Sequence, residues 1–139
     1  MPRVSTYLNF KGRTEAAFEF YKSIFGTDYA MPTVRIRDIP SDGKPRSEEE
    51  LNRIAHMVLP ILGGHLLMGT DVPEVAEGNN VSIMLEPDTR MEADRLNRAL
   101  AKGGKIIMPL ADMFWGAYFG QFVDKFGVQW FVNVDLTRG

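Results

Sequence analysis

The chain has 139 residues, 45% of them hydrophobic and 24% charged, with a formal net charge of −2, which suits one ordinary domain with a substantial core. Charges of both signs are interspersed and nearly balanced, so the sequence offers no electrostatic case for a nucleic-acid or anionic-membrane partner. There is no cysteine, which excludes disulfides and thiolate metal sites and fits a reducing compartment. No signal-peptide pattern opens the chain, and no apolar run approaches the roughly 20 residues that span a bilayer. We therefore expect a soluble, cytoplasmic protein.

The first half of the chain predicts a strand, a helix and then further strands. VSTYLNF alternates as a strand does, and TEAAFEFYKSIFG predicts a helix with Thr14 as its N-cap and Gly26 as its stop. The apolar stripe of this helix consists of Ala17, Phe18, Tyr21, Ile24 and Phe25. YAMPTVRIRDI favours a strand and IPSDGKPRSEEELN a polar loop, and Gly63-Gly64 joins two strands, RIAHMVLPIL and HLLMGTD.

The second half repeats that order. VSIMLE predicts a strand, and DTRMEADRLNRALAKGG predicts a helix with a capping box at Thr89 and Glu92. The expected buried side of this helix consists of Met91, Leu96, Ala99 and Leu100. KIIMPLADMF, WGAYFGQFVD and GVQWFVNVD predict three strands, the last two joined by a tight turn from Asp124 to Gly127. Because the two strand–helix starts lie roughly 75 residues apart, we predict an internal repeat of two βαβββ halves.

Several segments together resemble a known family. YLNF…AAFEFYKSIFG, LMGTD, GNNVSIML and GGKIIMPL…FWGAYFGQFVDKFGVQWFVN resemble the PhnB-like branch of the vicinal oxygen chelate superfamily, which includes glyoxalase I, bleomycin-resistance proteins and extradiol dioxygenases. That branch also carries the label 3-demethylubiquinone methyltransferase-like. The resemblance covers nearly the whole chain. It implies an α+β fold in a single domain of residues 1–139, with one module at about 1–75, a second at about 76–139, and a homodimer as the usual state.

The resemblance also implies that each module is a curled sheet with its helix on the convex side, and that the concave sides form a cleft. Alternation along the first strand then directs Leu8 and Phe10 toward the helix and leaves Ser5, Tyr7 and Asn9 in the cleft. The same alternation directs Val81, Ile83, Leu85, Val128, Trp130, Val132 and Val134 toward the second helix, and Ser82, Met84, Glu86, Gln129, Phe131 and Asn133 toward the cleft.

Enzymes of the resembled superfamily hold a divalent metal with His and Glu side chains from four strands. Carried onto this chain, those positions fall near Ser5, Ser82 and Phe131 and within the range Met68–Thr70. None of these side chains is a good metal ligand. We therefore expect neither a metal nor another cofactor, although carboxylates could still hold a divalent metal adventitiously.

Three ionisable residues remain as candidates for chemistry. His65 follows the glycine pair and is expected to be an exposed hairpin residue. His56 lies in mid-strand, and the sequence leaves open whether it is a structural histidine, a proton-transfer or binding group in the cleft, or a lone metal ligand. Glu86 ends its strand, where it is either exposed to solvent or a partly buried general base for removing a proton next to a carbonyl. Glu86 and His56 are thus the candidate catalytic residues.

Aromatic residues crowd both faces of WGAYFGQFVD. Small residues between the rings favour a shaped pocket over a simple core, although plain packing is the alternative. One face carries Trp115, Ala117, Phe119, Gln121 and Val123, and the other carries Tyr118, Gly120 and Phe122. The predicted ligand-binding residues are Tyr7, Asn9, Trp115, Phe119, Gln121 and Phe131.

These observations leave competing functions. A dimeric cleft that binds a small, partly aromatic ligand agrees with the rings and with the missing metal ligands. The alternative is a metal-dependent or carboxylate-based lyase or isomerase of small carbonyl compounds. Methyl transfer, which the branch label suggests, lacks a glycine-rich strand–turn–helix motif for a nucleotide-like cofactor.

Overall fold

The computed structural model describes residues 2–137. The chain divides into two compact units, Met1–Ala76 and Glu77–Gly139, and each unit consists of one four-stranded sheet and its helices. Within the described residues, no helix is long and apolar enough to cross a bilayer.

The first unit begins with a strand and a helix and continues with three strands. Its sheet has the order β1-β4-β3-β2, in which β1 runs parallel to β4 while β3 runs antiparallel to both β4 and β2. The elements are β1 (Thr6–Phe10), α1 (Thr14–Phe25), β2 (Val34–Arg35), a 3-10 turn (Ile36–Asp38), α2 (Glu48–Asn52), β3 (Ile54–Pro60), a second 3-10 turn (Leu62–Gly64) and β4 (Leu66–Asp71).

The second unit has the same topology. Its sheet has the order β5-β8-β7-β6, and again the first strand runs parallel to the last while the other pairs are antiparallel. The elements are β5 (Ile83–Leu85), α3 (Arg90–Ala101), β6 (Lys105–Met113), β7 (Ala117–Val123) and β8 (Gln129–Asp135). The predicted α+β fold with a repeated βαβββ order is therefore confirmed.

The core of the first unit lies between α1 and its sheet. Phe18 and Tyr21 of α1 are fully buried, as are Leu59 and Leu67 of the strands that α1 contacts. Gly69 of β4 lies directly under α1, since a Cβ atom at this position would come within 2.6 Å of the Phe18 ring. The apolar stripe predicted for α1 is thus the face that packs on the sheet.

The start of α1 differs from the prediction. Arg13 is the N-cap and makes no side-chain capping bond, and Thr14 is the first helical residue. The Asp71 carboxylate supplies the cap instead, because its Oδ1 accepts from the Thr14 N–H at 3.1 Å and from the Thr14 hydroxyl at 2.7 Å. Its Oδ2 accepts from the Ile54 N–H at 2.8 Å. One side chain at the end of β4 therefore holds the start of α1 and the start of β3.

Two residues of the second unit, Met91 and Val81, were predicted to be buried and are exposed. Met91 was expected on the buried side of α3 but is 82% exposed, because the buried stripe runs through Ala93, Leu96, Asn97 and Leu100. Val81 was expected to face that helix but is 76% exposed, because β5 begins only at Ile83.

The predicted loop of the first unit contains a short helix. Ser47 caps α2 by accepting from the Glu50 N–H at 3.1 Å, and the Glu50 carboxylate accepts from the Ser47 N–H at 3.2 Å. This is a capping box, and its S-x-x-E spacing was legible in the sequence. At α3, Thr89 accepts from the Glu92 N–H at 3.1 Å, whereas the Glu92 carboxylate binds Arg95.

Asp124 anchors the turn between β7 and β8, as the sequence predicts. Its Oδ1 accepts from the N–H groups of Phe126 and Val128 at 2.8 and 3.1 Å, and its Oδ2 accepts from the Trp130 indole N–H at 2.9 Å. Asp124 and Trp130 are both buried, and Gly127 adopts a φ of 90°. The carboxylate thus accepts from three donors at once, and its bond to the Trp130 indole is buried.

Replacing Asp124 is therefore expected to destabilise the protein strongly. Asp124→Ala removes the acceptor of three hydrogen bonds and should lower the free energy of unfolding by about 3–5 kcal/mol, measured by urea denaturation. Asp124→Asn keeps one acceptor oxygen and should lose less. Lys125→Ala, an exposed change in the same turn, serves as the control and should stay within about 1 kcal/mol of wild type. Equal losses for Asp124→Ala and Lys125→Ala would contradict the anchoring role.

Candidate functional site

The open face of the second sheet carries a cluster of three aromatic rings, which we call the aromatic face: Trp115, Phe119 and Phe131. The ring centroids of Trp115 and Phe119 are 5.9 Å apart in an edge arrangement, and those of Phe119 and Phe131 are 5.2 Å apart. Gln121 lies opposite Phe131 in the β7–β8 register, and Asn133 lies opposite Phe119. Trp115 is 53% exposed, and the other members of the cluster are half-buried.

Alternation along β7 and β8 explains why Phe119 and Phe131 are accessible, whereas Trp115 lies in the turn before β7 and not in the strand that the sequence predicted to begin there. The opposite face of the same strands carries Phe122, Trp130 and Val132, all fully buried, and α3 contacts both strands. Phe122 and Trp130 stack at 6.5 Å with nearly parallel rings. Since successive side chains of a strand point to opposite faces, one set of rings builds the core and the other set stays open. The four residues predicted on this part of the chain, Trp115, Phe119, Gln121 and Phe131, thus lie close together.

A cavity of about 690 Å³ opens next to the aromatic face, at the edge where β5 and β8 end and β7 begins. Trp115 and Asn133 line it together with three carboxylate side chains, those of Glu86, Asp88 and Asp135. Glu86 is exposed to solvent, which was one of its two predicted placements. The cavity thus brings the candidate Glu86 beside Trp115.

Two of these carboxylates were not singled out from the sequence. Asp88 follows the carboxyl end of β5, and Asp135 ends β8. The two strands run parallel, so their carboxyl ends meet at one edge of the sheet. Acidic residues at the ends of two strands were a legible signal, but using it required knowing that β5 pairs with β8.

The open face of the first sheet carries a tyrosine–histidine pair. The Tyr7 hydroxyl and His56 Nδ1 are 3.3 Å apart, and the two rings stack with their centroids 5.9 Å apart. The direction of the hydrogen bond follows from the histidine tautomer. Met57 of β3 pairs with Gly69, which lies under α1, so the neighbouring His56 lies on the opposite face together with Tyr7, which settles the orientation that the sequence left open. Asn9 is exposed on the same strand as Tyr7.

His65 corrects another expectation. It is half-buried, and its Nε2 lies 2.8 Å from the Thr6 hydroxyl oxygen. Gly63 and Gly64 both adopt positive φ values and turn the chain back, so that His65 meets β1. It is therefore a hydrogen-bonded residue of the sheet edge and not a free hairpin side chain.

A polar network on the helix side fastens α3 to the sheet. The Tyr118 hydroxyl donates to Asp94 at 2.5 Å, the Arg90 guanidinium lies 4.8 Å from the Tyr118 ring centroid, and Arg90 also binds Asp112 at 2.7 Å. The hydrogen bond to Asp94, followed by burial, raises the pKa of Tyr118. The hydrogen bond to Asp112 raises the pKa of Arg90. Tyr118 and Arg90 therefore keep their protons at neutral pH and take part in packing.

The metal site implied by the superfamily does not fit this chain. The positions near which the resemblance places such a site hold Ser5, Ser82, Phe131 and the range Met68–Thr70, which provide hydroxyl, thioether and aromatic side chains in place of imidazole and carboxylate. Across residues 2–137, no three His, Cys, Asp or Glu side chains are grouped so that they could hold a metal ion. We derive no chemical step through a metal.

The chain is similar over nearly its whole length to one family of proteins and to several of its relatives. Residues 2–133 match the model of the family described as 3-demethylubiquinone-9 3-methyltransferase. Protein PA1353 of Pseudomonas aeruginosa is similar in structure with a TM-score of 0.84, at 35% identity over 97% of this chain and 98% of that one. The PhnB protein of Bacillus cereus has a TM-score of 0.75, at 26% identity over 96% and 99% of the two chains. YjdN of Escherichia coli strain K12 is 28% identical over 139 residues, which is 94% of each chain.

A more distant likeness concerns the fold alone. A glyoxylase/bleomycin resistance protein/dioxygenase domain from Frankia sp. EAN1pec has a TM-score of 0.68 at 10% identity, over 100% of this chain and 95% of that one.

Proposed function

This chain belongs to the PhnB-like family described as 3-demethylubiquinone-9 3-methyltransferase, within the glyoxalase/bleomycin resistance/dioxygenase superfamily, and we propose that it binds a small, partly aromatic ligand. The ligand would lie on the aromatic face, without the metal that superfamily enzymes use. We propose further that the protein acts as a homodimer in the cytoplasm.

The observation that carries this proposal is the accessible ring cluster of Trp115, Phe119 and Phe131. Aromatic rings attract each other in edge or offset contact at centroid distances of about 4.5–7 Å, so an exposed ring can make the same contact with a ring of a ligand. An apolar concave surface with a few polar groups is typical of ligand sites. Gln121 and Asn133 lie opposite two of these rings, and their side-chain amides can donate and accept hydrogen bonds. Such a surface favours a flat ligand with one or two polar groups.

The family description names a methyl transfer, and our proposal does not rest on it. Each sheet here has a single parallel strand pair, unlike the parallel sheets whose first strand–helix turn holds a dinucleotide-like cofactor. The turn between β1 and α1 contains one glycine, Gly12, and the segment between β5 and α3 contains none.

A screen of small aromatic compounds by thermal shift tests the binding proposal. Compounds such as benzyl alcohol and benzamide should raise the melting temperature of the wild-type protein by roughly 2 °C or more when present well above their dissociation constants. Trp115→Ala should abolish the shift, because it removes the most exposed ring of the aromatic face. Met91→Ala, a change at an exposed side chain elsewhere in the same unit, should preserve it.

Two results would count against the binding proposal. One is a screen without any stabilising compound, and the other is an undiminished shift in Trp115→Ala. Elemental analysis of purified protein extends the test, because near-stoichiometric nickel, zinc, iron or manganese after gel filtration would favour the metal-dependent alternative.

A second candidate function follows from Glu86 in the cavity beside Trp115. A carboxylate there could remove a proton from a carbon next to a carbonyl, as a lyase or isomerase of small carbonyl compounds requires.

This activity predicts that the protein catalyses deuterium exchange into hydroxyacetone in D₂O, which NMR can follow. The exchange rate with Glu86→Gln should be at least ~100-fold lower than with wild type. Glu92→Gln, outside the cavity lining, is the control. Exchange at the uncatalysed rate in the wild-type protein, or at an equal rate in Glu86→Gln, would rule out this role.

The homodimer is supported by exposed apolar side chains on β6, the edge strand of the second sheet. Ile106, Ile107 and Met108 are all exposed there, which is unusual for a surface that stays in water. The strand carries Lys105 at one end and Asp112 near the other, so two antiparallel copies would place opposite charges near each other.

Replacing one of these side chains with a charge should weaken the dimer. Ile107→Glu places a carboxylate at a residue that is 47% exposed and should raise the dimer dissociation constant at least about tenfold, measured by sedimentation across a dilution series. Val81→Glu, at an exposed apolar residue outside β6, should leave it unchanged. A wild-type protein that is monomeric throughout, or an Ile107→Glu dimer as stable as the control, would contradict this interface.

A further inference from the structure

The charged side chains that line the cavity beside the aromatic face are all acidic. Glu86, Asp88 and Asp135 line it, whereas no lysine or arginine belongs to its lining among residues 2–137. Asp135 also caps the end of the chain's last strand, accepting from the Thr137 N–H and hydroxyl at 2.9 and 2.6 Å. Glu86 and Asp88, by contrast, form no ion pair or hydrogen bond with any described residue. Glu86 and Asp88 therefore give the cavity a negative potential.

The wall of the cavity also suits a cation. Trp115 belongs to the lining and is 53% exposed, and an indole ring is the best aromatic partner for an ammonium or guanidinium group. Asn133 adds an amide oxygen that can accept a hydrogen bond from an ammonium group. A cavity of about 690 Å³ is far larger than a bare metal ion needs, and the carboxylates of the described chain do not form a three-residue metal group.

We infer that this cavity takes the positively charged end of a small organic cation, an ammonium group that a short alkyl chain joins to an aromatic ring. The inference rests on the proposed binding function and narrows its ligand class. The ring of such a ligand packs on Phe119 and Phe131, and its ammonium group lies in the cavity against Trp115, Glu86 and Asp88. Trp115 belongs to both surfaces, since it lines the cavity and contacts Phe119.

Matched probes that differ only in charge test the inference. Benzylammonium and benzyl alcohol have the same ring and the same chain length, and benzoate carries the opposite charge. Isothermal titration should show benzylammonium binding at least about tenfold tighter than benzyl alcohol, with benzoate weakest. Raising the ionic strength toward about 1 M should reduce this preference, because salt screens exposed carboxylates.

Charge-removing variants locate the effect. Asp88→Asn and Glu86→Gln should each reduce the preference for benzylammonium by roughly 3–10-fold, and the double variant should abolish it. Glu92→Gln removes the same charge from the same unit outside the cavity lining and should keep the preference. A far-UV circular dichroism spectrum like that of the wild-type protein shows that each variant is folded.

The outcomes separate this inference from the broader proposal. If both probes bind with equal affinity, or if the preference survives in the double variant, the cation inference is wrong and the aromatic binding face stands. If neutral aromatic compounds bind and benzylammonium does not, the inference is wrong in the same way. If neither benzylammonium nor any neutral aromatic compound binds, both proposals fall.

Discussion

The buried carboxylate of Asp124 is the interaction on which the candidate site depends. Its three hydrogen bonds, two to the turn backbone and one to the Trp130 indole, set where β7 ends and β8 begins. A shift of this register by one residue would exchange the two faces of a strand. If β8 shifted in this way, Phe131 would turn toward α3 and away from Phe119, and the aromatic face would lose one of its three rings. A group that never touches a ligand thus determines which rings are accessible.

The two units use the same topology for different surfaces. In the first unit, Asp71 performs a similar task to Asp124, because its carboxylate joins α1, β3 and β4 through hydrogen bonds. The open face of that sheet carries the polar Tyr7–His56 pair, whereas the open face of the second sheet carries rings and carboxylates. Repetition of a fold therefore preserves the buried faces and the topology while the open faces vary.

The open faces matter for function because the expected metal-ligand positions do not hold imidazole or carboxylate groups. A superfamily enzyme directs imidazole and carboxylate groups toward one metal ion, but the corresponding residues here are serines, a phenylalanine and the range Met68–Thr70. The remaining chemistry of the second unit consists of aromatic surface, amides and carboxylates at a sheet edge. These groups suit recognition through ring packing and charge, which is why the proposed function is ligand binding.

The sequence by itself determined the order of elements, the repeat, the Asp124 turn and the alternation of β7 and β8, because each of these is written in residues that are near neighbours along the chain. Its errors were also local: the capping role of Thr14, the burial of Met91 and Val81, the exposure of His65 and the missed helix α2.

Only the tertiary structure decided the orientation of His56, the capping of α1 by a residue 57 positions away, and the meeting of Asp88 with Asp135 at one sheet edge. Each of these depends on which distant strands become neighbours and in what register. The hydrophobic pattern specifies which face of a strand is buried, but it does not name the strand that will lie beside it.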